Sequence, residues 1–442
     1  MASPQPDLQS RAPFGRALRT TFRAMRVRNY RLFWFGQLVS LSGTWMQRVA
    51  QAWLVLQLTD SPFALGTVSA LQFTPLLLLS LFGGVVADRV PKRRLLVITQ
   101  AIMAGQAVAI AILTTTGQIQ LWHIYVLAAL LGLANSFDNP SRQALVMEMV
   151  GPKDLPNAVA LNSSLFNSAR LIGPAVGGAI IAAAGLAVCF WLNAVSYLAV
   201  IGALLAMRPA EFFDMPSPNR GRMLPQLREG LAYALHSRDV CVIVILLASL
   251  GSFGYNFNIF LPLIARYVLD VGPFGLGVLF SCLGAGSVVA VLTLASRREA
   301  SERSLLLGAA IFTCLLLLVA LSSWFLVTAA LLLALGAASI VFSATANTRM
   351  QMAPPAALRG RIMSLYTLLF AGTTPLGSFV IGSLSERLGV QLALIICAVL
   401  CMLGVLGGVL YARSQPAASA RAPAASLEAL PAERQTAGLG KS

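Results

Sequence analysis

Twelve apolar runs, each about 20 residues or more and separated by short polar breaks, fill the chain at residues 31–56, 62–86, 95–116, 121–147, 157–182, 186–207, 239–264, 273–295, 304–322, 324–348, 361–384 and 390–411. A helix of about 20 apolar residues crosses the roughly 30 Å of hydrocarbon in a bilayer. Inside lipid a spanning backbone must satisfy its own hydrogen bonds, which a helix does. The pattern predicts an all-α integral membrane protein with twelve transmembrane helices. Composition agrees, with 57% of the 442 residues hydrophobic and 11% charged, against about 25% charged in soluble domains. So little charge cannot clothe a water-facing globule, which excludes an ordinary soluble enzyme. Runs spread over the whole length also exclude a soluble domain on a single anchor.

The formal net charge of +16 would fit a nucleic-acid binder, but its placement gives it another purpose. With the amino terminus inside, all but four of the 32 Lys and Arg fall on the same side: seven before the first span, Arg89, Lys92, Arg93 and Arg94 after the second, and the rest in later inner loops and the tail. This is the positive-inside pattern, with both termini cytoplasmic. The exceptions are Arg48 and Arg170 within spans and Arg266 and Arg387 outside. No nucleic acid is needed as a partner. The basic start lacks an apolar core ahead of a cleavage site, so no signal peptide is expected. The six cysteines lie in apolar runs without a CxxC pair and read as packing residues, neither metal ligands nor disulfides.

The spans divide into similar lengths. Residues 1–29 read as a basic cytoplasmic tail, 30–207 as a six-helix bundle, 208–238 as a cytoplasmic linker, 239–411 as a second six-helix bundle, and 412–442 as a disordered tail. Ser164-Leu165-Phe166 and Gly177 have an echo 200 residues on in Ser364-Leu365-Tyr366 and Gly377; Asn139 and Arg142 have one in Asn347 and Arg349. Two pseudo-symmetric bundles with a site between them is an architecture of secondary transporters. In the linker, Leu224, Leu227, Leu231 and Leu235 recur at helical spacing, as in an amphipathic helix along the inner membrane face. The terminal Gly440-Lys441-Ser442 mimics the end of a phosphate-binding loop, but Gln435 stands where that loop needs glycine. No cofactor and no metal is expected.

After span 2 comes Gly84-Val85-Val86-Ala87-Asp88-Arg89-Val90-Pro91-Lys92-Arg93-Arg94. It resembles the loop between helices 2 and 3 of the major facilitator superfamily, although that family usually has glycine where Pro91 stands. The resemblance implies a gate motif at Gly84, Asp88, Arg89, Lys92 and Arg93; a merely topogenic basic loop would explain the cations but not Gly84 or Asp88. In span 5, Gly173-Pro174-Ala175-Val176-Gly177-Gly178 is similar to the antiporter motif of export-type members, or else serves tight packing alone. Four further segments, Asn29-Tyr30-Arg31-Leu32-Phe33-Trp34, Gly43-Thr44-Trp45-Met46-Gln47-Arg48-Val49-Ala50, Phe137-Asp138-Asn139-Pro140-Ser141-Arg142-Gln143-Ala144 and Asn157-Ala158-Val159-Ala160-Leu161-Asn162-Ser163, resemble the bacterial branch that includes the enterobactin exporter and related drug:proton antiporters. The likeness is strongest in the first half. It implies a bacterial inner-membrane location.

Charged and polar residues at membrane depth point to mechanism. Arg48 near the middle of span 1 costs about 3 kcal/mol to insert if unpaired. Gln37, Ser40, Thr44, Gln47, Arg48 and Gln51 share one broad face, which reads as a polar stripe on the substrate pathway or as a polar helix-helix contact. Arg170 shares a face with Ser163, Asn167 and Pro174. On span 4, Asn135, Asp138, Asn139 and Arg142 stand at i, i+3, i+4 and i+7. Asp138 either simply pairs with Arg142 or works in an inner gate within reach of Lys92, and it is the best placed carboxylate for carrying a coupling proton. The only histidines, His123 and His236, lie near a helix end and in the linker, so nothing favours an enzyme. The expected activity is proton-coupled efflux of a small amphipathic or anionic compound by a monomer; a lysolipid carrier and a non-transporting receptor of the same fold are the alternatives.

Overall fold

The computed structural model describes residues 22–214, 232–294, 301–355 and 358–414. Helix α1 (Arg28–Thr59) ends at Asp60 in the left-handed region, φ 47°, and α2 (Pro62–Arg89) starts at once. Its N-cap, Ser61, accepts from the Ala64 N–H at 3.1 Å, and Pro62 occupies the first turn, where no amide hydrogen is missed. Next come α3 (Lys92–Thr115) and a helical stretch Leu121–Ala184, broken at Gly151, where φ is 69°. Its limbs are α4 (121–150) and α5 (152–184). The sequence reading leaves a loop between spans 4 and 5, yet one residue suffices: Gly151 takes a backbone angle closed to most side chains, and Pro152 begins the next helix. Helix α6 (Leu186–Leu205) completes the first half.

In the second half, α7 runs from Arg238–Phe253 through a break at Gly254 to Phe257–Leu263 and a π turn at Ile264–Val268. There follow α8 (Pro273–Leu294), α9 (Glu302–Leu321), α10 (Phe325–Met352), α11 (Arg359–Gly372 continued by Thr374–Leu388) and α12 (Val390–Ser414). Among the described residues ten stretches are long and apolar enough to cross a membrane. One of these contains both α4 and α5, and α1 is kept out by Gln37, Gln47, Arg48 and Gln51, which gives the twelve spans expected. Exposed apolar side chains such as Leu292, Leu326 and Leu406 suit a lipid-facing girdle, and Trp122, Trp191 and Trp324 stand at helix starts on one end, as in an interfacial aromatic belt. The opposite end, which carries Arg89, Lys92, Arg93 and Arg94, is called the basic end below.

The halves repeat each other in backbone contacts. A Cβ on Gly66 of α2 would lie 3.0 Å from Gly382 Cα on α11, and one on Gly277 of α8 would lie 3.1 Å from Gly178 Cα on α5. Pro62-Phe63-Ala64-Leu65-Gly66 and Pro273-Phe274-Gly275-Leu276-Gly277 thus make corresponding crossings to the other half, both at the far end. The same correspondence equates Gly173 with Gly377, an offset of 204 rather than the 200 of the Ser164 echo: Gly173 packs on α1, Gly377 on α7. Residues 22–27, placed in the N-terminal tail by the sequence, pack against α5, with the Ala24 N–H donating to Asn157 Oδ1 at 2.9 Å and Arg23 paired with Asp154. Leu224, Leu227 and Leu231 of the expected linker helix lie outside the described residues, as do the loop around Arg297 and the chain beyond Ser414.

Candidate functional site

Asp138 is fully buried, and four donors hold it. Thr99 Oγ1 and Gln100 Nε2, both on α3, donate to Oδ1 at 2.8 Å each, while Arg142 one turn further along α4 gives two bonds to Oδ2, the Nε bond at 3.1 Å. The i, i+4 spacing on one helix makes the pair. Arg142 Nη1 also donates to Gln37 Oε1, so the network reaches α1. Lys92 is not part of it: its Nζ pairs with Glu148 at 2.8 Å.

Gln37, Asn139, Arg142, Asn162, Ser163 and Asn167 lie on the wall of a cavity of about 540 Å³ between α1, α4 and α5, whose remaining lining includes Phe33, Val146, Leu165 and Phe166. Asn139 and Asn167 present polar groups there, with Asn167 Nδ2 donating back to Ser163 O at 2.8 Å. A largely apolar wall with a few convergent polar groups is what a small organic ligand needs.

Not every residue of the polar stripe on α1 meets this cavity. Gln47 turns into the first half, donating to Gln106 Oε1 on α3 at 3.1 Å and accepting from Asn193 Nδ2 on α6 at 2.6 Å. Thr44 bonds back to Ser40 O. Arg48 and Gln51 face a second, small cavity of about 40 Å³ that Ser69, Gln72 and Asn258 also line. The Arg48 guanidinium lies 4.4 Å above the Trp45 ring. Arg170 stands on α5 one turn beyond Asn167, within electrostatic reach of both Arg48 and Tyr255.

In the loop after α2, Arg93 Nη2 donates to Leu205 O at 2.8 Å, capping the end of α6 where carbonyls lack partners. Arg89 is exposed and Asp88 half-buried. A Cβ on Gly84 would meet nothing within 4 Å, whereas one on Gly83 would run into the backbone of Ser136 on α4, so close approach falls at the neighbouring glycine. The α5 glycines serve two neighbours: a Cβ on Gly173 would come within 2.6 Å of Trp45 Cβ and one on Gly177 within 3.0 Å of Met46, both on α1, while Gly178 and the Pro174 carbonyl meet Gly277 of α8.

Sequence reasoning missed the polar contacts between halves at the far end. Glu386 of α11 accepts from Ser61 Oγ at 2.9 Å and from the Phe63 N–H at 3.2 Å, both at the start of α2. Asp60 accepts from Tyr267 Oη at 3.2 Å and faces Arg266 at 3.5 Å. Arg266 had been visible as one of two cations on the wrong side of the charge rule, and the repeated Pro-Phe-x-Leu-Gly marks the crossing beside it.

Comparison with known proteins decides the family: the profile described as transmembrane secretion effector matches residues 19–435. The chain belongs to this family of the major facilitator superfamily. Relatives of this transporter include the staphyloferrin A transporter of Staphylococcus aureus, 27% identical over 57% of this chain and 63% of that protein, so the match spans less than two thirds of its length. The multidrug efflux pump Tap of Mycolicibacterium fortuitum is 26% identical over 81% of this chain and 90% of its own, and macrolide efflux protein A of Streptococcus pyogenes is 22% identical over 81% and 89%. Among solved structures, the peptide-transporter family member PepTSo has a TM-score of 0.71 at 15% identity, covering 88% of this chain and 98% of its own. A bacterial homologue of the lysosomal transporter Spinster has a TM-score of 0.69 at 12% identity, covering 87% and 97%. These structures share the fold of two six-helix bundles.

Proposed function

We propose that this major facilitator transporter is a proton-coupled exporter of a small amphipathic or anionic organic compound of the siderophore, natural-product or drug kind. In this reading it works as a monomer by alternating access across the bacterial inner membrane, with both termini in the cytoplasm. The observation that carries the proposal is the Asp138–Arg142–Gln37 network on the wall of the 540 Å³ cavity. It joins a buried carboxylate to the surface a cargo would touch. A proton on Asp138 removes the charge that holds Arg142, and the freed guanidinium turns to cargo; loss of the proton restores the pair. Competition for one arginine is a simple way to link a proton to a substrate.

The glycine crossings and the contacts of Glu386 and Asp60 support a state closed at the far end while the cavity lies in the basic half of the first bundle. The α5 motif contributes Gly178 to that closure. The efflux names of the relatives support the direction of transport. Inside-out vesicles offered a panel of labelled compounds, with and without a pH gradient, test the proposal. Gradient-dependent accumulation of an amphipathic or anionic compound is expected. Accumulation that ignores the gradient would remove proton coupling, preference for lysolipid would favour the lipid carrier, and binding without accumulation of any compound would favour the receptor.

A further inference from the structure

Arg48 stands at membrane depth with its Nε sealed from solvent and bonded to nothing. Around it the cavity of about 40 Å³ is lined by Gln51, Ser69, Gln72 and Asn258, all neutral, and by apolar side chains; none of the lining residues is acidic. Arg170 adds a second positive charge within electrostatic reach. Asp138 is committed to Arg142 and Asp60 to Arg266. Guanidinium groups without a counter-charge are costly in lipid. Such groups are characteristic of ion and substrate paths rather than of packing.

We propose that Arg48, supported by Arg170 and the side-chain amides of Gln51, Gln72 and Asn258, forms a subsite for a small anionic group, the carboxylate of the cargo. The inference rests on the transporter reading and names the chemistry of its cargo. Size agrees: about 40 Å³ is room for roughly three waters by the same measure, enough for a carboxylate or a chloride but not for the body of an organic molecule. The body has the larger cavity. Arg170 stands one helical turn beyond Asn167, which is on the wall of that cavity. The planar guanidinium offers a forked pair of donors that matches a carboxylate, the amides supply further donors, and the Trp45 ring beneath Arg48 fixes the fork from below. A chloride ion shares the same electrostatics without the two-point geometry.

The test uses the purified full chain and reads thermal stability during titration with sodium benzoate, with benzamide as its neutral isostere, and separately with sodium chloride. Benzoate, not benzamide, is expected to stabilise the protein saturably. In Arg48→Gln the benzoate affinity falls on the order of tenfold to a hundredfold, the worth of a hydrogen-bonded charge. Arg48→Gln removes an uncompensated charge and folds at least as stably without anion. Arg48→Lys keeps the charge but not the fork, so a carboxylate site loses benzoate affinity and keeps its chloride response. A chloride response that depends on Arg48, with benzoate adding nothing beyond it, assigns the subsite to an inorganic anion instead of the cargo carboxylate and overturns the cargo assignment. No anion response in the wild type, or an equal response in Arg48→Gln and Arg170→Gln, overturns the subsite altogether. Binding is read here without a gradient, so its failure leaves the exporter proposal standing, and failed gradient-driven uptake leaves the subsite standing.

Discussion

The two halves share a backbone framework and differ in what fills it. Corresponding glycines cross at the far end, Gly66 against Gly382 and Gly178 against Gly277. Inside, the first half buries Gln37, Gln47, Gln51, Gln100, Gln106, Asp138 and Asn193, whereas the buried polar residues of the second half, among those described, are hydroxyls plus Asn256. In their place the second half stacks aromatic rings: Tyr255 on Phe312 with centroids 4.9 Å apart and Tyr366 on Phe370 at 5.8 Å. Close packing of helix on helix tolerates few substitutions and persists in both halves. Buried charge is expensive unless it serves something, and it is concentrated in one half. The contrast leaves the first half with a polar interior and the second with an aromatic one.

The shared framework is broken most severely at a crossing. Gly178→Leu would drive a side chain into the Pro273 carbonyl and Gly277, and Gly382→Leu would do the same to Pro62 and Gly66. Both are expected to lower vesicle transport by about a hundredfold, as misplacement of packed elements can. Loss in only one would show that the crossings are not equivalent.

The polar interior of the first half is probed next. Asn193→Leu leaves Gln47 Oε1 buried without its 2.6 Å donor and should cost about 1–3 kcal/mol of stability, seen as a lower Tm of the purified protein. No change in Tm would mean that this network contributes little.

How much of this was legible beforehand differs between the halves for the same reason. Hydropathy and the basic loops reveal the twelve helices because lipid imposes length and charge placement on any spanning chain. Arg48 and Arg170 stood out because charge at depth is rare, and Asp138 with Arg142 because a helix brings i and i+4 together. The direction of Gln47 was not legible: a polar face broad enough to hold Gln37 and Gln51 as well borders several neighbours, and only tertiary packing shows that Gln47 turns to Gln106 and Asn193 while Gln37 turns to Arg142. The aromatic cluster was invisible too, because Tyr255 in the break of α7, Phe312 on α9 and Tyr366 and Phe370 on α11 come from three separate runs that read as uniformly apolar.

A milder change sharpens the aromatic side of the comparison. Tyr255→Phe keeps the stack on Phe312 and loses the hydroxyl that bonds Ser339 O at 2.6 Å, for an expected cost of about 0.5–1.5 kcal/mol in Tm measurements. A larger cost would place polar chemistry in the second half after all. The smallest effect belongs to the exposed far-end contact: Glu386→Gln weakens the hold on Ser61 and Phe63 and should shift the balance of open and closed states by a few-fold, consistent with about 0.2–1 kcal/mol for an exposed charged contact. Thiol labelling of a cysteine placed at Gln391, on the wall of the far-end cleft, reads that balance; unchanged labelling would remove Glu386 from the closure.

The central claim is that coupling resides in the first half, at Asp138. It is tested most directly by reconstituting wild type and Asp138→Asn in proteoliposomes and measuring, for a compound identified in vesicles, both pH-gradient-driven accumulation and counterflow exchange without a gradient. Asp138→Asn is predicted to lose gradient-driven accumulation while retaining counterflow. Accumulation equal to wild type in the same gradient would contradict the assignment.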